Sequence, residues 1–371
     1  AGQVVGTLGV TFNNFSSRNI FKKGAWAPLP SGDGQRLSVQ FASTGRQYQS
    51  YNVSFTEPWL GGKKPNSLTV SGYRSRQSNG LKNDDPDIRY FVVTGVSVGL
   101  GRRLKWPDDY FNVYNEVSLQ HYDIQNYGNL FSFQTGYSNN LSFTTTISRN
   151  SVDGFIWIRK GSQVSFSLQL TPPFSLFSDV DYTTAADQEK YKWIEYHKWK
   201  FSGSWFKEIG NKFVLNYRSN FGFLGYYNKD IGQSPFERFY VGGDGLSGFS
   251  YDGREIIALR GYENNSITPR GISGYVGGSV YDKFTLELRY PVSLNPQATI
   301  YALGFFEGGN NWYYFRDFDP LKIKRSVGIG ARFFLPMFGL LGLDYGYGFD
   351  TIQGIPGSNG GHFHFTIGQQ F

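Results

Sequence analysis

Apolar and polar side chains alternate at every second residue in many short segments along the whole sequence. Clear examples are residues 36–41, 51–55 and 164–170. Successive side chains of a β-strand point to opposite faces, so this period predicts strands with one apolar face. Glycine is abundant, with 47 residues, and it disfavours helices. The chain is therefore predicted to be all-β.

Fifteen strands are predicted by continuing this interpretation through the chain. Their approximate ranges are 4–13, 34–44, 46–57, 67–76, 89–100, 110–124, 138–150, 162–171, 193–206, 211–223, 279–290, 297–307, 325–334, 339–348 and 361–371. After the first few strands, short connections alternate with long ones. Short turns at one end and long loops at the other are typical of bacterial outer-membrane barrels. A soluble sandwich or propeller shares the strand pattern but has no reason to segregate loop lengths.

Average hydropathy does not identify the membrane class of this chain. A spanning helix needs about 20 consecutive apolar residues, whereas the most apolar stretch, residues 333–343, is shorter and contains Pro336. The mean hydropathy of −0.38 is that of a soluble protein, but a transmembrane barrel hides its apolar band in the alternation. The sequence predicts a transmembrane antiparallel β-barrel in the cell outer membrane.

The predicted number of strands is odd, although bacterial single-chain barrels have an even number. The sequence also begins at Ala1 without an initiator methionine or a signal peptide. Either two strands are merged in this count or a first strand precedes Ala1, and we expect the second.

The last predicted strand has an aromatic face and ends on an aromatic residue. Its apolar side chains are Phe363, Phe365, Ile367 and Phe371. Gly360 and Gly361 at its start allow the strand to bend, since glycine weakens strand pairing. The pattern resembles the terminal strand signal of bacterial outer-membrane proteins, with rings toward lipid and small polar groups toward the lumen.

Two motifs lie in a long predicted connection, residues 224–278. They are Pro235-Phe-Glu-Arg-Phe-Tyr-Val-Gly-Gly243 and Leu259-Arg-Gly-Tyr262. Two further motifs follow the connection, Thr285-Leu-Glu-Leu288 and Gly304-Phe-Phe-Glu-Gly-Gly-Asn-Asn-Trp312. Their order and spacing resemble the BamA/TamA superfamily, and most closely the BamA family, the barrel subunits of the outer-membrane β-barrel assembly machine. The resemblance covers essentially the whole chain, residues 1–371.

The resemblance implies a sixteen-stranded barrel whose long loop folds back into the lumen. By motif, the loop tip is Arg260, Gly261 and Tyr262, and the carboxylates that hold it are Glu287 and Glu307. The family more often has aspartate at the last position. A guanidinium is always charged and pairs well with carboxylates, so such a contact is physically sensible in a narrow lumen.

Strand alternation gives independent support for one of these acids. If Phe284, Leu286 and Leu288 face lipid, Glu287 faces inward together with Arg289. Without the motif, a simpler interpretation remains open, in which Arg260 is an exposed loop residue and Glu287 pairs with Arg289.

The resemblance also implies the function. The family folds and inserts client barrels into the outer membrane through a weak seam between the first and last strands, and periplasmic POTRA domains precede the barrel. The implied partners are client outer-membrane proteins, outer-membrane lipids and the lipoproteins of the assembly machine. A TamA-like or two-partner secretion translocator shares the loop motif, and a passive porin-type channel is a third hypothesis.

Other motifs in the sequence do not predict a different activity. Residues 243–248 match G-x-G-x-x-G, but they follow no βαβ unit. The His362 and His364 pair has no accompanying carboxylate nearby in sequence, and the absence of cysteine excludes thiolate metal sites. The net charge is +7, yet no basic run predicts nucleic-acid binding. We therefore predict no enzymatic activity, no cofactor and no metal.

Overall fold

The computed structural model describes residues 5–26, 28–62, 64–127, 133–210, 212–245, 254–271, 274–336 and 339–367. Its strands are β1 (Val5–Phe15), β2 (Gln35–Thr44), β3 (Tyr48–Glu57), β4 (Asn66–Ser78), β5 (Tyr90–Arg103), β6 (Phe111–Gln125), β7 (Gly136–Asn150), β8 (Gly161–Leu170), β9 (His197–Ile209), β10 (Phe213–Gly225), β11 (Phe239–Val241), β12 (Glu255–Ile257), β13 (Arg270–Gly271), β14 (Gly274–Tyr275), β15 (Val280–Asn295), β16 (Ala298–Trp312), β17 (Lys324–Leu335), β18 (Gly339–Gly348) and β19 (Gly361–Ile367). The helical elements are one α-turn, α1 (Asp187–Lys190), and the 3-10 turns Ser17–Asn19, Phe174–Phe177 and Phe315–Asp317. No helix in the described ranges is long and apolar enough to cross a membrane.

Within the described residues, fifteen of these strands form one antiparallel sheet in the order β1 to β10 and then β15 to β19. Sequential neighbours pair throughout this order, and β1 and β19 stand at its two ends. The predicted all-β fold and the predicted fifteen strands are confirmed. The small strands β11 to β14 lie in the connection between β10 and β15 and form two separate two-stranded sheets.

The chain divides into two compact units. The first comprises Ala1–Ile147, Leu168–His197 and Tyr226–Ser234, and the second comprises Ser148–Ser167, Lys198–Gly225 and Pro235–Phe371.

In the first unit, apolar side chains lie on the exposed face of the strands. Val53, Val70 and Val98 are 48%, 41% and 47% exposed. The opposite face is polar and hydrogen-bonded, since the hydroxyls of Ser71 and Ser97 are 2.8 Å apart. This arrangement is the reverse of a soluble sheet, which buries its apolar face, and it is typical of a transmembrane barrel strand.

The second unit shows the same inversion in a stronger form. Leu286 and Leu288 of β15 are 43% and 45% exposed, while Glu287 between them is 1% exposed. The prediction that Glu287 faces away from the apolar surface is thus consistent with the strand geometry. We call this buried polar face of the second unit its inner face.

Candidate functional site

The connection between β10 and β15 covers part of the inner face of the second unit. Its first motif forms β11, which pairs in parallel with β12, and Phe239 and Val241 are fully buried. Beyond β11, Gly243 and Leu259 exchange backbone hydrogen bonds of 3.1 and 3.0 Å. These contacts fix the chain immediately before Arg260, so the first motif is the base that presents the loop tip.

A buried lysine of β9 holds this base. The Nζ of Lys198, which is 3% exposed, lies 3.0 Å from Oε2 of Glu237 and 2.9 Å from Oε2 of Glu255. Glu237 belongs to the first motif and Glu255 begins β12. Nothing in the sequence suggested this contact, because the partners are about 40 and 57 residues away.

The guanidinium of Arg260 is completely buried among three carboxylates. Its Nη2 donates to Oε1 of Glu287 at 3.0 Å and to Oε1 of Glu307 at 2.7 Å, and its Nη1 donates to Oδ1 of Asp344 at 3.2 Å. The backbone N–H of Arg260 also donates to Oε2 of Glu307, at 2.9 Å. Both predicted acids contact the arginine, and the structure adds Asp344, which the motif comparison missed.

Phe305 forms the floor beneath this arginine. The guanidinium carbon of Arg260 lies 3.5 Å from the centroid of the Phe305 ring. Such stacking is favourable because the face of the ring is negative, and burial strengthens it. Phe305 therefore faces inward with Glu307, while Phe306 on the opposite face is 46% exposed.

Only glycine fits the next position of the loop tip. Gly261 has φ of +86°, and an added Cβ would lie 2.8 Å from the backbone N of Gly348 and 2.9 Å from the Cβ of Ser326. Conversely, a Cβ at Gly346 would lie 2.7 Å from the N of Gly261. The glycines of β18 and of the loop tip together permit this close approach of two backbones.

Tyr262 attaches the loop tip to the start of β17. Its hydroxyl donates to the backbone carbonyl of Arg325 at 2.7 Å and accepts from the backbone N–H of Asp350 at 3.3 Å. Burial raises the pKa of Tyr262 to about 12, so the hydroxyl stays protonated and remains a donor near neutral pH.

The last strand also contacts the loop tip. The backbone N–H of Gly261 donates to Nε2 of His364 at 2.9 Å, which requires that nitrogen to be unprotonated. His364 is 5% exposed, whereas Phe363 and Phe365 on the other face of β19 are 86% and 43% exposed. In the sequence, His364 alternates with Phe363 and Phe365, which places it on the opposite face from these rings, but no motif assigns it a role.

The remaining residues of the predicted terminal signal are only partly described. Gly360 has φ of +110° and lies immediately before Gly361, where β19 begins. β19 is described as far as Ile367, whose side chain is outside the described part, as is Phe371. The signal itself therefore stays a prediction.

Four further cations surround the three carboxylates. Arg218 and Arg289 contact Glu287, Lys283 lies 3.3 Å from Oε1 of Glu307, and Arg332 lies 3.0 Å from both oxygens of Asp344. The simpler interpretation, in which Glu287 pairs with Arg289, is thus present in addition to the Arg260 contact. We call the following residues the loop-tip cluster: Arg218, Arg260, Lys283, Glu287, Arg289, Glu307, Arg332 and Asp344.

The loop-tip cluster carries more positive than negative charge. Within the described ranges it contains five cations and three carboxylates, so each carboxylate serves more than one cation. Burying an ion costs roughly several kcal/mol of desolvation free energy unless the ion is paired and hydrogen-bonded. Because the carboxylates are outnumbered, the stability of the cluster depends on each carboxylate more than on any single cation.

The turn between β7 and β8, residues 151–160, packs against the same inner face. Ile158 is buried with Phe206 and Val214, and the ring of Trp157 lies 5.3 Å from that of Tyr301. The guanidinium of Arg289 lies over Tyr301 at 5.6 Å. A continuous series of packed side chains thus connects this turn to the loop-tip cluster.

No group of three or more metal-ligating side chains suited to a metal ion occurs in the part of the chain that the structure describes. The rings of His362 and His364 have centroids 6.3 Å apart, and His364 already accepts a hydrogen bond from the loop tip.

Known proteins share the family and the fold of this chain. The family model of the Omp85 superfamily domain matches residues 31–371. The structure of BamA from Haemophilus ducreyi lacking POTRA domains 1–3 is similar, with a TM-score of 0.67 and 17% identity over 97% of this chain and 66% of that chain. Comparison with curated protein sequences gives no match.

Two CdiB structures share the fold at lower similarity. CdiB from Escherichia coli gives a TM-score of 0.55 and 13% identity over 97% of this chain and 57% of that one. CdiB from Acinetobacter baumannii gives a TM-score of 0.53 and 14% identity over 98% of this chain and 56% of that one. The chain spans two thirds or less of each solved chain. The resemblance in the motifs and the BamA-like fold are thereby confirmed, and the chain belongs to the Omp85 superfamily.

Proposed function

We propose that this chain is the membrane-embedded part of a BamA-type assembly factor, which folds and inserts client β-barrel proteins into the outer membrane. Its exposed apolar face and buried polar face support a position spanning that membrane. The proposal involves no enzymatic chemistry and no cofactor, because the work is the pairing and release of strands.

The observation that carries the proposal is the contact of the loop tip with the last strand. Gly261 donates to His364 of β19, while Arg260 is held by carboxylates of β15, β16 and β18. The loop thereby supports the strand at the end of the sheet order from the inner side. A sheet edge exposed to lipid is costly, so a strand that pairs only transiently needs such support.

The proposed mechanism is strand addition at this edge. A client strand pairs with the exposed edge through backbone hydrogen bonds, which is β-augmentation. Phe363 and Phe365 of β19 face outward, so the client joins a strand whose apolar side already matches the membrane. The partners in this proposal are client outer-membrane proteins and membrane lipids, together with lipoproteins that bind periplasmic POTRA domains.

The likeness to CdiB favours a second candidate, a TamA-like or two-partner secretion translocator. In that function the same loop occupies the path of an exported chain, and the loop-tip cluster controls its opening. The two functions differ in how many proteins depend on the barrel.

Depletion of the native protein in its own cells distinguishes these functions. The assembly factor predicts a broad loss of folded outer-membrane proteins, detected by quantitative proteomics of the outer membrane. Loss of one secreted protein with an otherwise normal membrane supports the translocator. A normal membrane, with a large steady conductance of the purified protein in planar bilayers, supports a porin and contradicts both.

A further inference from the structure

Four adjacent strands of the first unit show a sharp change of chemistry along their outward face. Register places residues of β3, β4, β5 and β6 in lateral rows, because directly paired residues share a face. Two neighbouring rows are apolar or glycine: Phe55, Val70, Val98 and Val117 form one, and Val53, Gly72, Val96 and Leu119 form the next. The side chains in these rows are largely exposed, as in a surface that faces lipid.

The following two rows are different. Tyr51, Arg74, Thr94 and His121 form the third row, and Gln49, Arg76, Val92 and Asp123 form the fourth. Successive rows on one face are two residues apart, so about 7 Å of strand separates them. Two arginines thus stand on the outward face within about 15 Å of fully apolar rows.

These residues line a cavity of about 530 Å³ on that face, which we call the arginine pocket. Its walls include Tyr51, Arg74, Arg76, Asn83, Tyr90 and Asp123. Nη2 of Arg76 donates to Oδ1 of Asn83 at 2.7 Å, and its guanidinium lies 5.5 Å from the centroid of the Tyr90 ring. Arg76 is therefore oriented by a neutral amide and an aromatic ring.

Neither arginine has an anionic partner among the described residues. Arg74 makes only a long contact of 3.5 Å with the hydroxyl of Thr94, and Asp123 lines the pocket without forming an ion pair with Arg74 or Arg76. Buried or interfacial arginines ordinarily pair with carboxylate or phosphate, because the guanidinium matches both in geometry. Both guanidinium groups are thus available to an anionic ligand, since the carboxylate of Asp123 in the pocket wall is hydrogen-bonded to Tyr90.

The place of the pocket, at the end of the apolar rows, indicates the kind of anion that can reach it. Tyrosines are enriched where hydrocarbon meets water, and arginine facing lipid is tolerated where it reaches the headgroup level. Here the tyrosines and arginines begin at the row where the apolar surface ends. A lipid that packs its chains on the valine rows would place its phosphate at the arginines.

We infer that the arginine pocket binds the phosphate of a membrane lipid headgroup, with Arg74 and Arg76 as its ligands. Phosphodiesters of phospholipids and phosphomonoesters of lipid A offer the same chemistry. The inference rests on the position in the membrane and is independent of the insertase role.

Native mass spectrometry of the full-length protein in detergent tests this inference by titration with lipid A or phosphatidylglycerol. The variant is Arg74→Gln with Arg76→Gln. The matched control is Arg102→Gln with Arg103→Gln, which removes the same charge from the end of β5 that pairs with the start of β4, away from the pocket; both side chains are exposed there. Unchanged heat-resistant gel migration shows that each variant is folded.

We expect the pocket variant to bind at least one of the two lipids about 25-fold more weakly, because each basic residue near an anionic lipid surface contributes about a factor of five. The control should bind normally, and Asp123→Asn should bind more tightly, because a like charge is removed. Equal affinity of pocket variant and wild type, or an equal loss in the control, would overturn the inference. Displacement of lipid by millimolar inorganic phosphate would also overturn it, since the pocket would then be a site for a free anion.

Discussion

Replacement of Glu287 by glutamine should be the most damaging single change in the loop-tip cluster. Glutamine keeps the shape of the side chain and removes its charge. Glu287 contacts Arg218, Arg260 at 3.0 Å and Arg289 at 2.8 Å. Removing one partner of a buried ion pair costs about 3–5 kcal/mol. Because three guanidinium groups lose a carboxylate together, we expect about 5 kcal/mol, the upper end of that range.

The opposite change, Arg260→Gln, should cost less. Each carboxylate that Arg260 contacts keeps another cation, namely Arg218 or Arg289 for Glu287, Lys283 for Glu307 and Arg332 for Asp344. Losing Arg260 reduces the excess of positive charge, so we expect about 3 kcal/mol, the lower end of the same range.

The assay is equilibrium urea unfolding in detergent micelles or lipid vesicles, followed by tryptophan fluorescence. Asp319→Asn, which removes an exposed ion pair with Lys322, is the control and should cost under about 1 kcal/mol. Adding Arg218→Gln to Glu287→Gln should restore about 1–2 kcal/mol, a usual coupling between contacting residues. The reasoning is refuted if Arg260→Gln destabilises more than Glu287→Gln, or if Arg218→Gln adds further destabilisation.

The remaining predictions concern single contacts. Gly261→Ala should prevent the loop tip from docking, because a positive φ costs alanine about 1–3 kcal/mol and the new Cβ clashes with backbone. Maleimide should then label a cysteine placed at the buried Ser266 position faster than in the parent protein. An unchanged labelling rate would contradict this. Tyr262→Phe should lower the free energy of unfolding by about 1 kcal/mol, one hydrogen bond, whereas a loss above about 3 kcal/mol would show another role. Trp157→Ala should lower it by about 2–3 kcal/mol in the same unfolding assay, and the exposed Phe155→Ala should not.

Much of the sheet could be predicted because strand alternation is local information. The residues at which strands end were less predictable. The predicted strand 279–290 stops before Pro291, which lacks an N–H, yet β15 continues to Asn295 through a register shift between Pro291 and Ser293. Irregular pairing absorbs the missing donor, and such a compensation depends on the partner strand.

The candidate site was only partly predictable, for a related reason. Alternation alone places Glu287 inward, but Asp344 and His364 become neighbours through the pairing of β18 with β19. A usable signal was present in residues 343–348, where exposed Leu343, Tyr345 and Tyr347 alternate with Asp344 and two glycines. The glycines mark where another backbone approaches, but only the structure identifies that backbone as Gly261. The two-residue strands β13 and β14 are too short to produce a pattern.

The proposed function requires that the barrel accelerate client folding and that the loop-tip cluster be intact. The most direct test reconstitutes the full-length native protein in lipid vesicles and follows an unfolded client barrel by its heat-resistant gel migration. We expect faster client folding than in empty vesicles, loss of this acceleration with Glu287→Gln and its retention with Asp319→Asn. Client folding at the rate of empty vesicles, with the wild-type protein correctly folded, would contradict it.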